Sequence, residues 1–376
     1  MGNRGVIQLT AEESIILLTA RPYLRPEDDE VLVRLLHGPV QWDFVLWRVE
    51  YLRTLPMLRY HIRRLGASPV LPRAVSTYLD LWSELSAKRS ELLFRELERV
   101  SRAFDRHNVA HYVFKGGALG PLLYPDPWLR PMLDLDFMIR PEAVGVARTV
   151  MRQLGYVHGI WDPDTDRVTE YPPERILEYQ SPHYELPAFL KRVTAPVGLS
   201  PALVPRTWRV KHLKLFIHGN GICSFPVFVD LHVNLSLDFD QSDVWAGVET
   251  EEICGNPMRV QSMTDAVWFL AARLYHEAFQ FNTPKLTMLS DIHTILVCRK
   301  ETLNWPRLLE VVTKYGMQPA LFYVLTQLRG VAGAEVPEKV LEATRPDRMP
   351  MPNSHDWGDI MLKIFPRSIV HEIKYA

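Results

Sequence analysis

Cysteine is scarce in this chain: three in 376 residues, Cys223, Cys254 and Cys298, far apart and without paired spacing. That rules against a disulfide framework or a thiolate zinc site and fits a reducing compartment, so a cytoplasmic protein is expected. Excess charge is missing too. Lys plus Arg number 43 against 44 Asp plus Glu, a formal net charge of -1. No global field therefore draws in nucleic acid, which is a disfavoured partner unless a local basic groove supplies the attraction. No stretch approaches the roughly 20 apolar residues of a membrane span, and Met1-Gly2-Asn3-Arg4 opens the chain without an apolar signal core. No membrane partner is expected. Val6 stands where a myristoylation signal carries Ser or Thr. The chain also lacks a GxxxxGK[ST] loop and an HRD-like catalytic loop, which weighs against a kinase. Neither an internal repeat nor a low-complexity segment is present.

Hydrophobic residues make up 47% of the chain, enough for the cores of two or three domains. Residues 1–108 read as a helical region, with apolar positions recurring every three or four residues and Pro or Gly at the breaks. Its last helix, Tyr78 to His107, turns Leu79, Trp82, Leu85, Leu92, Leu93, Leu97 and Val100 inward, while its Arg and Glu residues form a solvated face. From His111 the pattern changes to short apolar runs: His111 to Phe114, Leu135 to Ile139, His183 to Leu190 and Phe225 to Leu235. These predict strands of a mixed sheet, with Pro141 to Leu154 as a helix between two of them. Trp161 to Tyr179 and the basic Lys191 to His218, carrying Arg192, Arg206, Arg209, Lys211, His212 and Lys214, read as loops or lids over a site. Helical periodicity resumes from about Thr264, within a C-terminal helical region set at 251–376. The expectation is an α+β chain: a small mixed β-sheet core over 109–250, flanked by N-terminal and C-terminal helical regions.

Within that core, Asp134-Leu135-Asp136 sits in a strand-like run. The two-residue period of a strand puts both carboxylates on one face and Leu135 on the other. Like charges side by side repel, and a hard divalent cation between them removes the repulsion. Just upstream, Lys115-Gly116-Gly117 offers backbone N–H groups that no side chain shields, suited to a phosphate.

These residues carry a resemblance. Lys115-Gly116-Gly117-Ala118-Leu119, Leu123-Tyr124-Pro125, Arg130-Pro131 before Asp134-Leu135-Asp136, and the later Asp230-Leu231-His232 resemble the signature of polymerase-β-like nucleotidyltransferases. The match is nearest to the bacterial branch of uncharacterised nucleotidyltransferases, and residues 112–140 and 226–235 carry its specific part. The resemblance implies transfer of a nucleoside monophosphate from an NTP, ATP by first choice, to a hydroxyl of a small molecule or peptide, with release of pyrophosphate. It implies two Mg²⁺ ions, about 4 Å apart in such sites, held by Asp134, Asp136 and Asp230, with Glu185 as the alternative third carboxylate.

In this reading Gly116 and Gly117 hold the triphosphate, and Lys115 and Arg130 neutralise it. His232 orients a carboxylate, removes the proton of the acceptor hydroxyl, or is simply packed at a strand end. Many relatives have Ser where this chain has Gly117, which leaves the backbone alone to bind phosphate. His276, Lys285 and Asp291 read as helix packing, and Trp82, Trp128, Trp208 and Trp268 as core. Other acceptors, a protein side chain or a tRNA 3′ end, stay open. So does a degenerate member acting as a binding or scaffold protein.

Overall fold

The computed structural model describes residues 9–180, 184–197, 214–218, 221–236, 238–280 and 285–347. Arg206, Trp208, Arg209, Lys211, His212 and His183 lie outside the described residues, as does the tail beyond Asp347. In chain order the helices are α1 (Ala11–Thr19), α2 (Pro26–Leu36), α3 (Trp42–Tyr51), α4 (Leu55–Arg64), α5 (Arg73–Arg106), α6 (Gly116–Leu123), α7 (Val144–Gln153), α8 (Pro173–Gln180), α9 (Gln241–Ala246), α10 (Met263–Gln280), α11 (Leu286–Cys298), α12 (Trp305–Lys314), α13 (Gln318–Ala332) and α14 (Glu338–Thr344). The strands are β1 (His111–Phe114), β2 (Asp134–Ile139), β3 (Val157–Asp162), β4 (Arg167–Glu170), β5 (Phe189–Pro196), β6 (Phe216–Ile217), β7 (Ile222–His232), β8 (Val248–Ile253) and β9 (Asn256–Gln261). The fold is α+β, a mixed open sheet with helical flanks. The chain divides into two compact units, residues 81–266 and residues 1–80 with 267–376.

The second of these units is helical. A capping box starts α1, with the Thr10 side chain accepting from the Glu13 N–H and Glu13 returning the bond. Arg59 and Arg63 share Asp80, and the His61 ring lies 2.6 Å from the Arg21 carbonyl. His276, Lys285 and Asp291 belong to this unit.

The other unit is built on the sheet, whose order is β4-β3-β5-β7-β2-β1-β9-β8, with β6 beside β7. β1 runs antiparallel to β2, and β2 parallel to β7. On β2, Leu135, Phe137 and Ile139 are fully buried and join Val227, Val229 and Leu231 of β7 in one core. Leu93, Leu97, Val100 and Phe104 of α5 belong to the same cluster. The alternation of β2 therefore sends Leu135, Phe137 and Ile139 into this core and leaves Asp134 and Asp136 on the opposite face.

Three segments differ from the sequence reading. Trp161 to Tyr179 is not a lid: it contains the β3–β4 hairpin and α8. β4 is exposed and polar, so it lacks the apolar alternation that marks a strand. The run expected to be a strand over His183 to Leu190 begins its pairing only at Phe189, apart from a bridge between Glu185 and His232, and continues to Pro196. Lys191 and Arg192 are thus strand residues. Their charges are met by distant partners: Lys191 donates to Glu96 at 2.9 and 3.0 Å, and Arg192 to Asp166 at 3.0 Å. The sheet also gains the β8–β9 hairpin, where β9 pairs parallel to β1.

Candidate active site

The register between β2 and β7 makes the site. Asp134 lies opposite Phe228, Asp136 opposite Asp230 and Met138 opposite His232, so two carboxylates stand beside one another at the centre of the sheet. β1 ends at Phe114, opposite Asp136, and the chain turns sharply at Lys115 into α6.

Lys115 has φ 52° and ψ −134°, a backbone conformation natural to glycine and strained for a side-chain-bearing residue. The strain places its ammonium in the site, donating to Asp136 Oδ1 at 2.6 Å. Gly116 and Gly117 then open α6, and the N–H groups of a first helical turn have no partner within the helix. They form the positive end of the helix dipole, beside Lys115.

Gly116 has no room for a side chain. A Cβ there would meet Met132 at 2.6 Å and collide with the Arg130 guanidinium, so Arg130 lies directly over the start of α6. At Gly117 a Cβ would come 2.9 Å from Val113 and 3.4 Å from Leu97, on the α5 side of the sheet and away from Asp136. A serine side chain there would begin against that core. Gly117→Ser is expected to destabilise the protein by about 1–3 kcal/mol through overpacking, measurable by urea unfolding, with no gain in triphosphate affinity.

A further positioning residue, Arg89, is not apparent from the sequence. Its buried guanidinium donates to the carbonyls of Met132 at 3.2 Å, Leu133 at 3.1 Å and Pro226 at 3.4 Å. Pairing between β2 and β7 begins only at Asp134 and Phe228, and Pro226 has no N–H to offer. Arg89 fills the gap just before that first pair and thereby anchors Asp134. Its one sequence signal is an arginine in phase with Leu85, Leu92 and Leu93 on the inward stripe of α5.

Four acidic groups crowd this face: Asp134, Asp136, Asp230 and Glu185. Asp136 is buried, which alone would raise its pKa, but Lys115 and the His232 ring outweigh burial and hold it well below the usual carboxylate range. Burial opposes the charge on Lys115; Asp136, Asp134 and Asp230 reverse that effect and raise its pKa. Burial and the charges of Asp136 and Asp134 push Asp230 up to about 8. Lys115 also favours the charge on Asp230, but too weakly to offset the rest. His232 is lowered by burial and by Lys115; its Nε2 lies 3.1 Å from Asp136 Oδ1 and its Nδ1 3.5 Å from Glu185 Oε2. Phe114 meets this ring edge-on, and Tyr184 stacks on it at 6.2 Å.

The shift at Asp230 has a measurable sign. A carboxyl whose native pKa lies above its unfolded one contributes stability that is complete below about pH 4 and drains away as pH rises toward 8. His111, His158 and His232, lowered by burial from 6.5, contribute with the opposite slope, losing stability as pH falls below 6.5. Between pH 6.5 and 8, Asp230 dominates. With chelator present, the Tm of the sheet unit is expected to fall across that window, and Asp230→Asn to flatten it; an unchanged slope in the variant would contradict the assignment.

Donor atoms of Asp136, Asp230 and His232 lie within 4.8 Å of one another. Together with the surplus of negative charge over Lys115 alone, this donor set fits a divalent cation. Asp134 stands two residues before Asp136 on the same face, near enough to act on Lys115. Lys214 places its ammonium 4.1 Å over the ring of Phe228, the residue opposite Asp134. Trp82 and Trp268 are buried.

Comparison with known proteins finds no matching curated protein and no matching solved structure. A family model described as "Uncharacterised nucleotidyltransferase" matches residues 38–333. That span holds the whole sheet and every residue gathered around Asp136, and it covers well over half of the chain; the protein belongs to the uncharacterised nucleotidyltransferase family.

Proposed function

We propose that this chain is a polymerase-β-like enzyme that transfers a nucleoside monophosphate from an NTP, ATP by first choice, to a hydroxyl of a small molecule or peptide and releases pyrophosphate. The observation that carries this reading is the Asp136–Asp230 pair, set side by side by the β2–β7 register at the mouth of the Lys115-Gly116-Gly117 turn. Asp134, Asp136 and Asp230 are the carboxylates that would hold Mg²⁺. When bound, divalent ions stabilise charge on the attacking and leaving oxygens of an in-line displacement.

The remaining chemistry belongs to the chain. The first-turn N–H groups of α6 and the Arg130 guanidinium above them bind the triphosphate. Lys115 neutralises Asp136 before substrate arrives and adds positive charge beside the phosphates. Asp230, beside Asp136, is placed to help activate the acceptor hydroxyl. Near-neutral overall charge favours a small acceptor over a long nucleic acid.

The Lys115–Asp136 contact also supports a second reading, in which the lysine permanently serves as the site's cation and the protein binds or scaffolds without transfer. Calorimetric titration with each of the four NTPs, with and without Mg²⁺, separates the two. Binding that requires Mg²⁺ supports the enzyme, whereas binding indifferent to Mg²⁺, or none, supports the scaffold.

A further inference from the structure

The His232 ring is held between two carboxylates, one at each nitrogen. Asp136 Oδ1 is 3.1 Å from Nε2, and Glu185 Oε2 is 3.5 Å from Nδ1. A neutral imidazole has a single N–H, so whichever carboxylate receives it, the other faces a lone pair. A cation on the Asp136 side resolves the conflict: Nδ1 donates to Glu185 and Nε2 turns its lone pair toward the ion. That is the arrangement in which a histidine ligand is oriented by a carboxylate behind it.

Three features of the fold support the same direction. A ring nitrogen of His232 lies with donor atoms of Asp136 and Asp230 inside a 4.8 Å group, and Nε2 is the nitrogen on the Asp136 side, whereas Glu185 is on the far side of the ring. The bridge between Glu185 and His232, with the Leu186 N–H donating to the Leu231 carbonyl at 2.8 Å, holds the Glu185 backbone beside His232. Phe114 edge-on and Tyr184 stacked leave the ring little freedom to turn.

Resting on the nucleotidyl-transfer reading, we propose that His232 is itself a ligand of the site's ion through Nε2, that Glu185 is the positioning residue behind it, and that the mixed O,O,N donor set selects a transition-metal dication over Mg²⁺. Mg²⁺ takes oxygen donors and keeps its waters, while imidazole suits the later divalent ions. The site therefore prefers ions that accept nitrogen, and Mn²⁺, the weakest binder of the transition series, serves as the probe because its bonding can be read directly.

The test is Mn²⁺ binding to the full chain, alone and with ATP, followed by pulsed EPR on protein labelled with ¹⁵N at histidine. A histidine nitrogen coupling that changes from ¹⁴N to ¹⁵N character, together with Mn²⁺ binding at least tenfold tighter than Mg²⁺, is expected. Glu185→Ala should weaken Mn²⁺ binding by about 10–100-fold, and Glu185→Gln, which keeps an acceptor oxygen, should recover part of it. Neither change should alter the Tm measured in chelator, which separates positioning from a structural role. Mn²⁺ that binds without a histidine coupling overturns the His232 assignment and leaves nucleotidyl transfer standing. ATP binding that ignores Mn²⁺ and Mg²⁺ alike overturns both.

Discussion

Asp136→Asn is expected to lower nucleotidyl transfer by about 10³-fold or more, since several kcal/mol of charge stabilisation at the reacting phosphate is lost with the carboxylate that anchors the ion. The same change is also expected to weaken the fold, because it removes the main counter-charge of the largely buried Lys115. Loss of activity in this variant alone would therefore be ambiguous. Asp230→Asn resolves it. Burial and the neighbouring carboxylates disfavour an ionised Asp230, so the neutral amide should match or exceed the wild type in metal-free stability while still abolishing transfer. Steady-state kinetics paired with urea unfolding checks both variants: falling activity with opposite stability changes is expected, and appreciable turnover by Asp230→Asn contradicts its placement in the site.

Lys115→Ala should destabilise the metal-free protein by roughly 3 kcal/mol, the low end for breaking a buried pair, because the lysine side chain is still 23% exposed. Lys115→Gly loses the same ammonium but adopts φ 52° without strain. Relief of strain is worth about 1–3 kcal/mol, against an entropic cost of glycine in the unfolded chain of about 0.4–1 kcal/mol. Glycine should therefore be the more stable of the two variants. Equal stabilities would mean that Lys115 sits without strain. In both variants the weakened triphosphate binding should show as a raised KM.

The residues that gather around Asp136 carry local signals in the chain, because Asp134, Leu135 and Asp136 obey the two-residue period of a strand and Lys115-Gly116-Gly117 punctuates the end of an apolar run. Their assembly carries none. Opposing Asp136 to Asp230 requires a parallel pairing between strands about ninety residues apart, and nothing local encodes that register. Glu185 was legible as an acidic alternative, yet its place behind His232 depends on a single bridge. β5 was hidden by Lys191 and Arg192, whose charges are tolerated in the sheet only because Glu96 and Asp166 arrive from 95 and 26 residues away. β8, with the sequence Val248-Glu249-Thr250-Glu251-Glu252-Ile253, is mostly polar and exposed, and it is a strand by virtue of pairing with β9. Burial and long-range partners decided each of these, and neither is written in a short window of sequence.

The most direct measurement follows the α-phosphate. Purified protein is incubated with each of the four α-labelled NTPs and either Mg²⁺ or Mn²⁺, alone and with separate fractions of small molecules, peptides, proteins and RNA. The account predicts that label moves into the small-molecule or peptide fraction with stoichiometric pyrophosphate, and that folded Asp230→Asn leaves it on the nucleotide. Label that stays on the triphosphate with every ion and every fraction would contradict nucleotidyl transfer and leave Lys115 as the permanent cation of a binding site.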